Sequence, residues 1–179
     1  MIDGLEKVFE GTGKPGVAEL RGLLDELLCG AEASGRFLEE QKLQPRGARV
    51  FRLRFEIKGE TRSVVVKRLK PEIAQRNELV AKRWLPAVGL SDCGPPVLGR
   101  VADRTGGCVW HVYEDLGPYE LDPCQPDRER VKAAIDLMAR MHTRFAGHAL
   151  LGEVRLHGGD LGKHFYETNV CDAIYSLEA

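Results

Sequence analysis

Residues 51–69 read FRLRFEIKGETRSVVVKRL and decide the fold. In the first half, apolar side chains alternate with charged ones, which is the period-two pattern of a strand with one buried face. The alternating apolar residues are Phe51, Leu53, Phe55 and Ile57, and Arg52 and Arg54 between them are predicted to face solvent. Lys58-Gly59-Glu60 predicts a turn, because glycine adopts positive φ without steric cost. The chain then returns through Thr61–Leu69 with the β-branched run Val64-Val65-Val66. The stretch therefore predicts an antiparallel hairpin.

Apolar spacing outside the hairpin predicts further helices and strands. The predicted helices are Val17–Cys29, Pro71 to about Trp84 or Leu85, and Asp127–Phe145, and the predicted strands are Arg36–Leu43, Val97–Val101 and Cys108–Tyr113. Pro71 suits a helix start because its missing N–H would be unpaired there, and Pro86 is expected to follow the helix end. Residues 1–16, with four glycines and one proline, predict a loose lead-in, and Val170–Leu177 predicts a last helix. The element order indicates an α+β chain with an antiparallel sheet of about five strands.

Composition narrows the class of protein. The chain has 179 residues, of which 43% are hydrophobic and 30% charged, so a globular core is expected. A formal net charge of −1 argues against a nucleic-acid-binding protein. Five scattered cysteines without a CxxC pair favour reduced thiols, and neither a signal peptide nor a membrane-spanning run is evident. We therefore expect a cytoplasmic protein that binds neither membranes nor nucleic acids.

Lys67 is the first candidate functional residue. Period two places Lys67 between Val65 and Leu69 on one face of the returning strand. A lysine between apolar neighbours needs either an anionic partner or a route to water. On this pattern alone, a lysine of an edge strand that reaches solvent is as well supported as a ligand-binding lysine.

Glu78 is a candidate partner for that lysine. It shares a helical stripe with small and apolar residues at Ala74, Ala81 and Leu85 rather than with the charged residues of the same helix. A carboxylate on this stripe would face the neighbouring sheet. The alternative is an ordinary solvated glutamate. Together, the lysine, the glutamate and the element order favour a paired site.

The ordered set of elements resembles the N-terminal lobe of protein-kinase-like enzymes. The details are more similar to the aminoglycoside phosphotransferase and choline kinase-like group, because Leu137–His142 (LMARMH) resembles that group's LARLH helix. Val109–Gly117 (VWHVYEDLG) resembles the last strand of that lobe and the hinge after it. The resemblance covers residues 37–148. It implies an N-terminal extension with one helix at 1–35, a kinase-like N-lobe at 36–117, and a hinge with the first helices of an incomplete C-lobe at 118–179.

The resemblance implies a nucleotide site made of Lys67, Glu78, Val65, Gly47, Glu114 and Leu116. Lys67 would hold the α- and β-phosphates of ATP, and Glu78 would orient the lysine through an ion pair. Val65 would lie over the adenine. Glu114 and Leu116 would present backbone C=O and N–H groups to the adenine edge.

Two loops depart from the family pattern. The phosphate-covering loop would be Pro45–Arg49, which contains Gly47 as its one glycine where protein kinases have several. Phosphoryl transfer also needs an aspartate near the acceptor and oxygen ligands for Mg²⁺. Where the family has HGDxxxxN, this chain has His157-Gly158-Gly159-Asp160, with Asn169 nine positions further on. One interpretation is a divergent catalytic loop with Asp160 as base and Asn169 as metal ligand. The favoured interpretation is a segment that precedes the true loop of a longer enzyme.

The expected function follows from the resemblance. We expect the N-terminal portion of an ATP- and Mg²⁺-dependent small-molecule kinase, whose acceptor is a hydroxyl of an aminoglycoside, amino alcohol or sugar-like compound, and which is inactive as this chain. The alternative is a non-catalytic nucleotide-binding or interaction module of the same fold. Without a complete C-lobe to cover it, the apolar face of Asp127–Phe145 would favour self-association. A metal site at His157, Asp160, His164 and Glu167 is a less favoured hypothesis.

Overall fold

The hairpin predicted from residues 51–69 lies at the centre of a mixed six-stranded sheet in the computed structural model. The strands are β1 (Ile2–Asp3), β2 (Gly35–Lys42), β3 (Val50–Ile57), β4 (Glu60–Leu69), β5 (Val97–Ala102) and β6 (Val109–Glu114). Their order across the sheet is β1-β2-β3-β4-β6-β5; β1 pairs with β2 in parallel, and the other pairs are antiparallel. The α+β class and the five predicted strands are confirmed. The sixth strand, β1, was not predicted.

The structure describes residues 1–10, 12–29, 34–43, 49–117 and 127–158. The chain forms two compact units, Met1–Leu137 and Met138–Ala179. The first contains the whole sheet together with the N-terminal segment, and the described part of the second is helical. Within the described residues, no helix is both long enough and apolar enough to cross a membrane.

The β3–β4 turn sets the register that places the site. Lys58 and Gly59 both have positive φ, at 53° and 79°, as a two-residue hairpin turn of the primed type requires. Ile57 therefore pairs with Glu60, and further along the hairpin Arg52 pairs with Val65 and Val50 with Lys67. Because side chains alternate between faces, Val50, Arg52, Val65 and Lys67 share the face opposite Phe51 and Val66.

One face of the sheet carries the hydrophobic core. The core includes Phe51, Leu53, Phe55, Val64, Val66, Trp110 and Val112 from the strands, and Val8, Phe9, Leu20 and Leu24 from the N-terminal segment. The Phe9 ring lies 4.6 Å from the Phe51 ring and 5.1 Å from the Trp110 ring. The prediction of a loose lead-in over residues 1–16 is therefore wrong. Its few apolar residues are too sparse to show a period, and tertiary packing, not local pattern, orders them.

The helices predicted from Val17, Pro71 and Asp127 are present and agree with the prediction except at one end, but another helix, Leu151–Gly158, was not predicted. Helix α1 spans Val17–Cys29 and α2 spans Pro71–Leu79, which continues through a π-helical turn at Val80–Trp84 into α3, Leu85–Ala87. The helix was predicted to end before Pro86 but passes through it. In the π turn, Leu85 N–H donates to the Val80 carbonyl, five residues earlier, instead of to the carbonyl four residues earlier. The regular i−4 hydrogen bonds are therefore already interrupted before Pro86, which has no N–H to donate.

The C-terminal helices are α4, Arg128–Phe145, and α5, Leu151–Gly158. The Asp127 carboxylate accepts a hydrogen bond from Arg130 N–H at 3.0 Å, which satisfies a free donor of the first turn. Ile135 and Met138 of α4 are exposed. The predicted helix at Val170–Leu177 lies outside the described residues.

Candidate functional site

A cleft of about 1050 Å³ lies on the face of the sheet opposite the core. Its floor includes Val50, Arg52, Val65, Lys67 and Tyr113 from three adjacent strands. Its walls come from the helical segment after residue 76, the loop at 91–96 and residues 114–117. Small-molecule pockets commonly enclose about 300–1,000 Å³, so the cleft is large enough for a nucleotide-sized ligand.

Lys67 lies in this cleft, next to Val65. The prediction that the two side chains share one face is confirmed by the register, which places them opposite Val50 and Arg52. Within the described residues Lys67 has no ion-pair partner. The cleft therefore contains a lysine that forms no ion pair with a described residue, beside an apolar wall, although Asp92, Glu114 and Asp115 also line the cleft.

The expected ion pair between Lys67 and Glu78 is not formed. One Glu78 oxygen accepts from Lys82 Nζ at 2.9 Å, and the other is paired with Arg100. Lys67 and Arg100 flank His111 in one row across β4, β6 and β5. Two strand spacings, roughly 10 Å, thus separate the backbones of the lysine and the arginine. The Glu78 carboxylate is thus engaged by Lys82 and Arg100 and forms no ion pair with Lys67.

Asp115 is the centre of a buried network that the sequence did not predict. Its carboxylate accepts from Arg52 Nε at 2.7 Å, Arg52 Nη2 at 3.0 Å and Ser63 Oγ at 2.6 Å. Gly117 N–H donates to the same carboxylate at 3.0 Å. The Arg52 guanidinium also donates to the Gly117 carbonyl at 3.2 Å. The segment after β6 is thereby attached to β3, and the prediction that Arg52 faces solvent is wrong.

The network also sets the charge of Asp115. Burial acts to raise the pKa of this carboxyl, but hydrogen bonds from Arg52 and Ser63, and then from Gly117, outweigh that effect and hold the pKa below its ordinary value of 3.8. The aspartate is therefore ionised at neutral pH and fully engaged by donors. It has no oxygen left over for a metal ion.

The backbone of the same segment faces the cleft. Glu114 N–H donates to the Pro96 carbonyl at 3.0 Å. Leu116 lines the cleft, its side chain is exposed, and it takes part in none of the hydrogen bonds among the described residues. A backbone donor and acceptor without a described partner, beside an apolar cavity, can bind the polar edge of a planar ring.

A histidine–tyrosine pair lies beside Lys67 on the same face of the sheet. His111 Nδ1 and Tyr113 Oη are 3.0 Å apart, and His111 Nε2 has no hydrogen-bond partner in the part of the chain that the structure describes, although the residue is fully buried. Burial first, and then the charges of Arg100, Lys67 and Lys82, lower the pKa of His111. The ring is therefore neutral at pH 7 and adds no positive charge to the site.

The remaining predicted site residues lie outside the described part of the chain, namely Gly47, Asp160 and Asn169, together with His164 and Glu167 of the metal hypothesis. His157 is in the last turn of α5. Within the described ranges, no three His, Cys, Asp or Glu side chains form a group that could hold a metal ion. The described residues of the cleft thus include an apolar surface and a lysine, and the predicted metal ligand, Asn169, lies outside the described ranges.

Comparisons with family models, with curated proteins and with solved structures find no match to this chain. The residues that sequence reasoning missed are Arg52, Ser63, Asp115, His111 and Tyr113. For Arg52, a signal was present: a two-residue turn at Lys58 and Gly59 fixes Arg52 opposite Val65, on the same face as Lys67. No local signal indicates that Asp115 would be its partner, because 63 positions separate them.

Proposed function

We propose that the chain binds ATP in the cleft and is the nucleotide-binding N-terminal portion of an ATP-dependent small-molecule kinase. The observation that carries the proposal is Lys67, a lysine with no described counter-ion, lying beside Val65 in a cleft of nucleotide size. The triphosphate would supply the missing negative charge.

The rest of the cleft supports a bound nucleoside. Val50 and Val65 give an apolar floor for a base, and the Leu116 backbone, which has no hydrogen-bond partner among the described residues, offers it a donor and an acceptor. The Arg52–Asp115 pair holds that backbone in place before any ligand arrives, so less ordering is required on binding. The acceptor substrate, by the resemblance, would be a hydroxyl-bearing aminoglycoside, amino alcohol or sugar-like compound.

A second candidate function is a non-catalytic nucleotide-binding module. The pairing of Glu78 with Arg100 and Lys82 favours this second candidate, because Glu78 does not form the ion pair with Lys67 that the resemblance implies.

The test is a thermal-shift titration with ATP, with and without Mg²⁺. A ligand at 100 times its Kd stabilises the folded chain by about 2.7 kcal/mol, which is about 5–10 °C in Tm for a chain of this size. Lys67→Met should lose most of this shift for ATP but little of it for adenosine, since adenosine lacks the phosphates. The matched control is Lys58→Met, which removes the same charge from the hairpin turn at the other end of β4.

No shift with wild-type protein, or an equal ATP shift for wild type and Lys67→Met, contradicts the cleft as the nucleotide site. ATP binding with ADP release on addition of an acceptor would show that this chain is itself a kinase. Binding without turnover is the result expected both of an N-terminal portion and of a non-catalytic module.

A further inference from the structure

A pair of like charges lies at the open end of the central hairpin. Arg49 and Arg68 are opposite one another, with Arg68 N–H bonded to the Arg49 carbonyl at 2.8 Å. Like charges directly across two strands destabilise a sheet unless an opposite charge lies between them. Within the described residues neither arginine has an ion-pair partner.

The two arginines line a second cavity. It encloses about 180 Å³ and is also lined by Lys70, Pro15 and Cys108. That is the volume of roughly six waters at about 30 Å³ each, enough for a tetrahedral oxoanion with part of its hydration. Within the described residues Lys70, too, has no ion-pair partner.

Lys14, which precedes the lining residue Pro15, is a further cation close to Arg68. Lys14 Nζ lies 4.5 Å from the Phe9 ring and 4.9 Å from the Phe51 ring, so its charge is held against aromatic faces. Burial lowers the pKa of Lys14, and the nearby positive charges of Arg68 and Lys42 add to this effect, while Glu40 opposes it.

The nearby acidic and thiol groups do not neutralise these cations. Asp103 accepts hydrogen bonds from Cys108 N–H and Thr105 Oγ1, and Glu19 is paired with Arg104. The Cys108 thiol donates to the Pro15 carbonyl at 3.4 Å, and burial raises its pKa, so it contributes no thiolate. Among the described residues, no carboxylate forms an ion pair with Arg49, Arg68 or Lys70, although the charges of Asp103 and Glu40 lie nearby.

We propose that the cavity between Arg49, Arg68 and Lys70 binds a phosphate group, either free phosphate or a phosphate monoester. Arginine forks fit the oxygens of phosphate in bidentate geometry, and a dianion would relieve the repulsion between the two guanidinium groups. Adjacent strand residues face opposite sides, so Arg68 lies on the other face of β4 from Lys67. The phosphate site is distinct from the nucleotide cleft and does not depend on the function proposed for it.

The test is isothermal titration with inorganic phosphate and, separately, with glycerol 3-phosphate. Arg68→Gln should weaken binding about 10- to 100-fold, the loss expected for a charged hydrogen bond. Arg62→Gln is the matched control, because Arg62 lies on the same strand and the same face as Arg68. Within the described residues its one ion pair is a long one, 3.9 Å, to Glu60. This substitution should change the Kd for phosphate less than about twofold.

The outcomes separate the sources of the ligand. Binding of both compounds assigns the site to a phosphate group in general, binding of phosphate alone to the free ion, and binding of the ester alone to monoesters. Equal stabilisation by chloride at matched ionic strength, or an unchanged Kd in Arg68→Gln, would overturn the proposal.

A second measurement guards against a folding defect. In phosphate-free buffer at low salt, Arg68→Gln should have a Tm no lower than wild type, because it removes a like-charge pair. A lower Tm would show that Arg68 already has a stabilising partner and would also overturn the proposal.

Discussion

Asp115→Asn tests whether the buried pair with Arg52 holds the segment after β6. The Arg52 and Asp115 side chains are only 12% and 6% exposed. Asparagine keeps the size of the side chain and an oxygen for Ser63 or Gly117, but it removes the negative charge. The Arg52 guanidinium would then remain buried without a counter-ion. We expect a loss of about 3–5 kcal/mol in the free energy of unfolding, the usual effect of removing one partner of a buried pair.

The assay is urea unfolding at pH 7, with Glu39→Gln as the control. Glu39 makes an equally short ion pair with Arg54, at 2.6 Å, but these side chains are 51% and 43% exposed. Glu39→Gln should therefore cost less than about 1 kcal/mol. Adding Arg52→Met to Asp115→Asn should recover part of the loss, since it removes the unpaired charge. If Asp115→Asn costs no more than Glu39→Gln, burial does not control the strength of this pair and the reasoning is refuted.

Two further predictions concern protonation and close packing. The pKa of His111 in the folded chain lies below its ordinary value of 6.5, so the unfolded chain binds more protons below that pH and the free energy of unfolding should fall from about pH 7 to pH 5. Urea midpoints should show a shallower fall for His111→Gln than for wild type. Parallel profiles would contradict this. Gly16→Ala should lower Tm more than Gly13→Ala does. Both glycines have positive φ, which costs an alanine about 1–2 kcal/mol at either position. A Cβ at Gly16 would in addition lie 3.0 Å from Asp103 Cβ and 3.1 Å from Trp110 Cδ1, whereas nothing lies within 4 Å of a Cβ at Gly13. Equal shifts would show that the Asp103 and Trp110 side chains move aside at little cost in free energy.

Local pattern was sufficient for the hairpin and for the face on which Lys67 lies. Alternation and a two-residue turn are properties of neighbouring residues, and together they determine which side chains are opposite across β3 and β4. The two-residue turn and the alternation together place Arg52 opposite Val65, although alternation alone was taken to mean that Arg52 faces solvent. A strand pattern identifies two faces, but it does not say whether the second face is open to water or covered.

Pairing between distant segments was not accessible in this way. Glu78 has the stripe of a residue that faces the sheet, and it does pair with a sheet residue. The order β4-β6-β5 places His111 and then Arg100 across from Lys67, so which cation the glutamate meets depends on strand order and on the position of α2.

The sequence by itself therefore determined the class of fold, the hairpin register and the position of Lys67, because these follow from backbone periodicity and turn geometry within short stretches. Only the tertiary structure decided that Asp115 binds Arg52, that Glu78 binds Arg100, and that Val8 and Phe9 belong to the core. Those contacts join residues far apart in the chain, and their energies come from burial and charge pairing that exist only once the sheet has assembled.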